Sequence, residues 1–362
     1  MNKIEDIPKS KTKKNFDFID TIRCISMFGI VFEHCAAVAS NIYHNKLDSF
    51  IETAIIQSFK FSTIAFFLIG GFLINHKFQE YSPSQYLKNR FKNTIKPWLF
   101  WIAIFVAITL LDRYIAYLKG SNDTIVRHFF PYFGALLIRV FFYTSYWFIL
   151  NFLICISILL IFKKYLYSIW MGLILGLVSL FYSINLYYGW IVTTHSTALF
   201  GFVFYLWLGV FLNKYYEQIM DYINRAKWIV LIAIAFSTFI VACAESTNLN
   251  RISVTDAYNT LRISNILYSF ATFSILLKIG NIRWLKQNLQ PRSTTFGIYL
   301  IHFIIIDRFL PLIFQPMRLD ISNFTIWQNT LLHVIRFIIV YVLSVLLTKG
   351  ITKTRLKWTV GQ

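Results

Sequence analysis

The chain is a succession of long apolar blocks separated by short polar connectors. Most blocks approach the roughly 20 residues that a helix needs to cross a bilayer. Backbone groups in lipid must bond within their own segment, so such blocks are predicted to be helices. We predict an all-α integral membrane protein with about ten transmembrane helices, at residues 18–39, 51–76, 96–117, 145–162, 167–184, 196–213, 227–244, 261–280, 294–313 and 325–348.

Residues 124–142 are apolar as well, but they include Arg127, His128, Pro131 and Arg139. Basic groups and proline are costly within a lipid-facing helix. We therefore predict a re-entrant or interfacial segment on the outer side of the membrane.

Basic residues are concentrated in every second connector. With the N terminus inside, each connector predicted to be cytoplasmic is basic, whereas the outer connectors have a near-equal supply of Asp and Glu. The positive-inside rule then predicts cytoplasmic N and C termini and an even number of helices. We divide the chain into a cytoplasmic polar tail (1–15), a membrane domain (16–348) and a cytoplasmic basic tail (349–362), and we expect a multi-pass protein of the cell membrane.

The composition fits lipid as the main solvent of the chain. Of the 362 residues, 57% are hydrophobic and only 14% are charged, against roughly 25% charged residues in soluble domains. The net charge of +19 does not indicate nucleic-acid binding, because the basic residues lie in the connectors. The four cysteines lie in apolar blocks without CxxC spacing, so they are predicted to be small core residues. No cluster of His, Asp or Glu has metal-ligand spacing, so no metal is expected.

The first helix carries ionisable residues, which are functional candidates when they lie within a membrane. Arg23 and His34 are eleven positions apart, so they point the same way and stand about 16 Å apart along the axis. An arginine near the inner surface suits a phosphate, and a deep histidine suits proton transfer. The alternative is a snorkelling arginine and a histidine bonded to a neighbouring helix. Glu33 points about 100° away from His34, and we expect it to pair with Lys60 of the second helix.

Two further stretches of the first third admit two interpretations each. Gly70 and Gly71 lack side chains, so either another helix backbone or a ligand can approach closely. The connector before Pro97 carries four cations within nine residues, Lys88, Arg90, Lys92 and Lys96. These four either follow the positive-inside rule alone or also hold an anionic nucleotide cofactor.

The last helices add further candidates. Trp147 begins a helix on the outer side of the membrane. An aromatic belt at the membrane surface explains this tryptophan as well as a role in a site does. Tyr299 and His302 are three apart and share a face of the ninth helix. His333 and Arg336 are also three apart, in the tenth helix, and we expect an ion pair or a hydrogen-bond network there.

At these positions the sequence resembles the acyltransferase 3 family of membrane acyltransferases. The first helix of that family reads D-x-x-R, then ten residues, then H, and a late helix reads G-x-Y-x-x-H. The matching residues here are Asp20, Arg23, His34, Lys60, Phe66, Phe67, Gly71, Phe72, Gly297, Tyr299 and His302. The chain lacks the proline of the second helix and has Gly70 where serine is usual. Asn93 stands in place of the second arginine of R-x-x-R, with Lys92 or Lys96 as the expected substitute.

The resemblance implies about ten helices, a cytoplasmic acyl-CoA donor rather than a permanently bound cofactor, and an acceptor hydroxyl on a glycan at the outer side. It implies that His34 is the catalytic base and that Arg23 helps bind the donor or the transition state. The expected donor-binding cations are Lys60, Arg90, Lys92 and Lys96. Residues expected to support the substrate or the site are Asp20, Glu33, Trp147, Tyr299 and His302.

The sequence thus predicts an O-acyltransferase, in the first place an O-acetyltransferase, that acts on a surface polysaccharide or a lipid-linked glycan within the lipid bilayer. The alternative is a transporter or flippase of a glycolipid or anionic solute. Transporters often contain inverted repeats, and no such symmetry is visible in the sequence. A structural subunit of an export complex is a third, non-enzymatic possibility.

Overall fold

A computed structural model describes residues 16–36, 43, 45–80, 82–120 and 128–362, with residues 76–80 described by their backbone alone. The predicted polar tail (1–15), the end of the first predicted helix and residues 124–127 therefore lie outside the described residues. Within the described part the chain is almost entirely helical and contains no strand.

The described residues form sixteen α-helices. In chain order, α1 to α16 are Phe18–His34, Lys46–Gln57, Ser62–Glu80, Pro83–Arg90, Lys96–Leu118, Phe129–Phe142, Trp147–Ile161, Ile169–Tyr188, Val203–Lys214, Tyr216–Arg225, Trp228–Arg251, Ile263–Ile279, Arg283–Leu289, Pro291–Ile304, Leu310–Phe314 and Ile326–Thr352. Two π-helical turns continue this pattern, Phe91–Ile95 between α4 and α5 and Ile305–Phe309 between α14 and α15.

Six helical stretches of the described residues are long and apolar enough to cross a membrane, and the number rises to eight if each of two bent helix pairs is one span. The bent pairs are α6 with α7, at 66°, and α12 with α13, at 94°. Two of the ten predicted helices belong to none of these stretches or pairs, α1 with 17 residues and α9 with 12. The protein is therefore a multi-pass membrane protein.

Each of the ten predicted helices overlaps an observed helix, but two predicted features differ from the structure. The predicted helix 51–76 begins earlier and is interrupted by turns at residues 58–61, between α2 and α3. The connector with Arg90 and Lys92 is helical, because α4, the π turn and α5 follow one another without a break. This helical path decides which of its cations face inward.

Helix α1 lies at the centre of the molecule, in contact with α3, α12, α13, α14 and α16. Two groups of buried apolar side chains form the interior, and α1 contributes Ile22 to one and Val31 to the other. Large apolar side chains on α8, α11 and α16 point outward instead, among them Leu177, Phe236 and Leu331. An apolar exterior over a packed interior is what lipid as solvent requires. The four cysteines are buried and free, as predicted.

Glycines allow α3 and α9 to cross in backbone contact. A side chain at Gly71 would overlap the carbonyl oxygen of Leu206, and one at Gly209 would overlap the carbonyl oxygen of Leu68. Gly71 therefore serves helix packing. Its neighbour Gly70 instead lines a cavity and faces the ring of Phe152.

The end of α1 is held by α16. The Nε2 of His333 lies 2.7 Å from the Phe32 carbonyl oxygen, and Nε of Arg336 donates to the Cys35 carbonyl oxygen at 2.9 Å. These carbonyls close the last turn of α1, where cations and donors are favourable. The predicted hydrogen-bond network of His333 and Arg336 is confirmed, and it fixes the helix end that carries His34.

Candidate active site

A cavity of about 410 Å³ runs beside α1, and three arginines line one end of it. Arg23 comes from α1, Arg90 from the end of α4 and Arg292 from the first turn of α14. Asn93, Thr94, Thr295 and Gln362 add polar groups at the wall. Because three cations line this part of the cavity, it suits an anion.

Asp20 orients two of these arginines. It is buried, with 2% of its side chain exposed, and it accepts two hydrogen bonds from Nε of Arg292, at 2.8 and 3.0 Å. Nη1 of Arg23, one turn further along α1, lies 3.6 Å from the same carboxylate. Nη2 of Arg292 also lies 3.6 Å from Oδ1 of Asp17. Three arginines against these two carboxylates leave the site with net positive charge, and the ion pairs limit how far the arginines can turn.

The helical connector separates the cations that face the cavity from those that do not. Arg90, Asn93 and Thr94 lie three and four residues apart, so they share a face of the helix, and all three line the cavity. Lys92 lies on the opposite side and is exposed, and the Lys96 ammonium lies 4.5 Å from the ring centre of Trp358. Neither lysine lines the cavity, so the structure does not bring them together with Arg90 there.

Lys60 also lies away from the arginine end. It is buried in the turn between α2 and α3 and pairs with Glu33, as the sequence predicted for that pair. The structure therefore does not bring Lys60 together with the arginines that line the cavity. Arg292, which the sequence treated as an ordinary basic connector residue, stands with Arg23 and Arg90 instead.

The middle of the cavity is apolar. Its walls there come from α1, α3 and α7, with Met27, Ile30, Phe66, Phe148 and Phe152 among the lining residues. Such a wall fits a hydrocarbon-like arm and offers few partners to a hydrated sugar.

A second, small cavity of about 20 Å³ adjoins the first and is lined by His34. Ile30, Phe148 and Tyr299 line both cavities, so the two meet end to end. On α1 the order is Arg23, then Ile30, then His34, at helical spacing along one face. The common direction of Arg23 and His34 thus places one residue at each of two adjoining cavities, about 16 Å apart along the helix axis.

Hydrogen bonds assign the proton positions of His34 and His302. Nδ1 of His302 lies 2.7 Å from the Tyr299 carbonyl oxygen, which can only accept, so His302 carries its proton on Nδ1. Its Nε2 then accepts from Nδ1 of His34 at 3.0 Å. The remaining nitrogen of His34, Nε2, bonds to no other described residue and keeps a free lone pair, which is the form a general base needs.

Tyr299 lies between the two cavities and lines both of them. Its ring contacts Phe148 at 5.8 Å between ring centres, and its hydroxyl donates to the Ser145 carbonyl oxygen. The hydroxyl is therefore occupied by a bond within the protein. Tyr299 and His302 share a face as predicted, and that face meets α1.

A second histidine, which sequence reasoning missed, lines the small cavity. His195 lies in the 3₁₀ turn His195–Thr197, and its Nδ1 is 2.6 Å from Oδ2 of Asp256. Burial raises the pKa of the Asp256 carboxyl, but the neighbouring His195 outweighs this effect, so the pKa lies below its usual range. The two residues are 61 positions apart in two loops, and loops lack the periodicity that relates residues within a helix.

Trp147, predicted as a supporting residue, packs against this pair. Its ring is T-shaped to that of His195, with 5.2 Å between the ring centres, and it lines the small cavity. The C-terminal residues Val360, Gly361 and Gln362, within the predicted tail 349–362, line the large cavity, and the Thr359 carbonyl accepts from Trp101 at 2.9 Å. Among the described residues no group of three His, Cys, Asp or Glu side chains is arranged to hold a metal ion.

Comparison with known proteins gives partial relatives and one family. Proteins named "Probable poly-beta-1,6-N-acetyl-D-glucosamine export protein" from Staphylococcus aureus strains MSSA476 and MRSA252 are each 25% identical over 119 residues. This match covers 32% of the chain and 32% of each relative, so it spans about a third of their length. No solved structure matches the chain. The acyltransferase 3 family, described as an acyltransferase domain, matches residues 16–349, and this protein therefore belongs to that family of membrane acyltransferases.

Proposed function

We propose that the protein is an O-acyltransferase that moves an acyl group, acetyl in the first place, from cytoplasmic acyl-CoA to a hydroxyl of a surface polysaccharide or lipid-linked glycan. The observation that carries this proposal is the pair of cavities joined end to end along α1, with three arginines at one end and an imidazole with a free nitrogen at the other.

In this proposal the large cavity holds the donor. Arg23, Arg90 and Arg292 bind the phosphates of CoA, each as a planar group with several donors. The N terminus of α14, at Pro291, adds the positive end of a helix dipole beside them. The thioester arm then lies along the apolar middle and reaches Ile30, Phe148 and Tyr299, the residues that line both cavities.

The chemistry requires one proton carrier. Nε2 of His34 takes the proton of the acceptor hydroxyl while the hydroxyl oxygen attacks the thioester carbonyl carbon. The carbon–sulfur bond breaks, and the leaving thiolate receives that proton from His34, which gives the ester and free CoA thiol. His302 keeps the His34 ring in the required tautomer through its bond to Nδ1.

The proposed orientation follows from the basic connectors. In this arrangement α1 and α9 join the eight longer spans as membrane crossings, both termini are cytoplasmic, and the membrane is the cell membrane. The arginines then face the compartment that contains acyl-CoA, and His34 lies in the outer half of the bilayer.

The relatives' name supplies a candidate acceptor, a β-1,6-linked N-acetylglucosamine polymer. The test uses the full chain in lipid vesicles with acetyl-labelled CoA and a β-1,6-linked N-acetylglucosamine oligosaccharide. We expect label on the sugar that mild alkali releases, since an ester is cleaved under conditions that leave the N-acetyl amide intact. Absence of any label on oligosaccharide or polysaccharide acceptors would refute the proposal.

The same name favours a second candidate function, export of a polysaccharide. An exporter needs a continuous polar path for a hydrated polymer, whereas the wall between the arginines and His34 is apolar. Movement of labelled oligosaccharide across the vesicle membrane in the absence of acyl-CoA would support export and contradict acyl transfer as the main activity.

A further inference from the structure

The second histidine of the small cavity is held as firmly as the first. Oδ2 of Asp256 accepts from the backbone N–H of His195 at 2.9 Å, from its Nδ1 at 2.6 Å and from the Asn259 amide at 3.1 Å. Because Nδ1 carries the proton towards Asp256, Nε2 is the nitrogen left for other partners. It bonds to no other described residue.

The loop that supplies Asp256 is fixed by a buried cation. The Arg262 side chain has no exposed surface, and it donates to the Asn259 carbonyl at 3.1 Å and to the Ala242 carbonyl at 2.7 Å. Asn259 also donates to the Thr193 carbonyl at 2.6 Å, which links this loop to the turn that carries His195. A histidine on a surface loop needs no such support, so the arrangement maintains one orientation of the His195 ring.

The two histidines line the same small cavity. His34, His195 and Trp147 all line it, and none of the three lines the large cavity. Neither imidazole uses its Nε2 in a bond to another described residue. A single substrate in this space can therefore contact both rings.

We propose that His195, oriented by Asp256, binds the acceptor saccharide: its Nε2 forms a hydrogen bond to an oxygen next to the hydroxyl that His34 deprotonates. This inference rests on the proposed acyl transfer and assigns the acceptor side of the same site. A sugar ring carries oxygens on adjacent carbons, so a single sugar can contact both imidazoles at once. The Trp147 ring, packed on His195, gives this side an aromatic wall, which suits the apolar face of a saccharide.

The test measures initial rates of the full chain in vesicles, with acetyl-CoA and the β-1,6-linked N-acetylglucosamine oligosaccharide varied in turn. For His195→Gln and Asp256→Asn we expect the KM for the oligosaccharide to rise roughly tenfold, the effect of losing one charge-assisted hydrogen bond. The KM for acetyl-CoA should stay at the wild-type value. His128→Gln is the matched control, an exposed histidine at the start of α6 outside both cavities, and it should match the wild type.

An unchanged KM for the oligosaccharide in both variants would overturn the inference while leaving acyl transfer intact. A parallel rise in both KM values with a lower melting temperature would also overturn it, because that pattern indicates a structural role. Failure of the wild type to transfer acetyl would refute the proposed function itself, and this inference with it.

Discussion

His34 is one of seven histidines, and its surroundings differ from those of His333. The bond to His302 fixes its tautomer, and the Glu33–Lys60 pair beside it is neutral overall. The charged groups near the base are thus paired with one another rather than with the base. His34 is left free to exchange a proton, whereas His333 is bonded to the Phe32 carbonyl.

Arg90 and Lys92 provide a matched pair for testing the donor site. Both are cations of the same short segment, but only Arg90 lines the cavity. We expect Arg90→Gln to raise the KM for acetyl-CoA by roughly 10- to 100-fold, since a charge-assisted contact to phosphate is lost. Lys92→Gln should leave that KM unchanged. Equal effects of both substitutions would indicate that these charges determine orientation alone.

The sequence predicted which residues of one helix share a face, but it did not predict contacts between residues of different loops. The common face of Arg23 and His34 follows from their spacing, and the pairing of Glu33 with Lys60 is confirmed. His195 and Asp256 carried no comparable signal, because tertiary folding alone brings their loops together. In the sequence, Arg292 resembled any other basic residue of a cytoplasmic connector. Its ion pair with the buried Asp20, which only the structure shows, distinguishes it from them.

Helix α3 combines two tasks at adjacent glycines. Gly70 leaves space at the cavity wall, while Gly71 brings the backbone of α9 into contact. This crossing fixes the distance between two walls of the site. The sequence left open whether these glycines served packing or a ligand, and the structure assigns Gly71 to packing and places Gly70 at the cavity wall.

Gly71→Ala should therefore destabilise the protein. The added methyl group meets a backbone carbonyl that cannot rotate away, and overpacking of this kind typically costs about 1–3 kcal/mol. The measurement is the thermal unfolding midpoint in detergent. Gly350→Ala is the matched control, because nothing lies within 4 Å of its Cβ position in α16. A Gly71→Ala protein as stable as the wild type would contradict the backbone contact.

The sequence predicted helices better than their interruptions. Apolar length identifies a block that lipid must surround, so all ten blocks overlap a helix. The turns at residues 58–61 and the helical connector at Arg90 depend on tertiary packing and on local hydrogen bonds, which hydropathy does not record. The bend of 66° between α6 and α7 is of the same kind.

At the scale of the whole molecule, the arginines line the large cavity and His34 lines the small cavity that adjoins it along α1. This separation places the arginines beside the acyl-CoA donor only if their end of α1 faces the cytoplasm. Reporters fused after Lys164 and Lys227 should therefore be cytoplasmic, and a reporter fused after Arg251 should be external. A reporter after Lys96 that is found outside would contradict both the orientation and the donor site.

The central claim is that His34 is the base of acyl transfer, and one substitution tests it most directly. His34→Gln keeps hydrogen bonding but cannot carry the proton, so acetyl transfer per folded molecule should fall by 10²–10⁴-fold. His333→Gln, in which the amide can still donate to the Phe32 carbonyl, should keep near-normal transfer. The measurement is the single-turnover rate of label transfer from acetyl-CoA to oligosaccharide. Near-normal transfer by His34→Gln would contradict the mechanism.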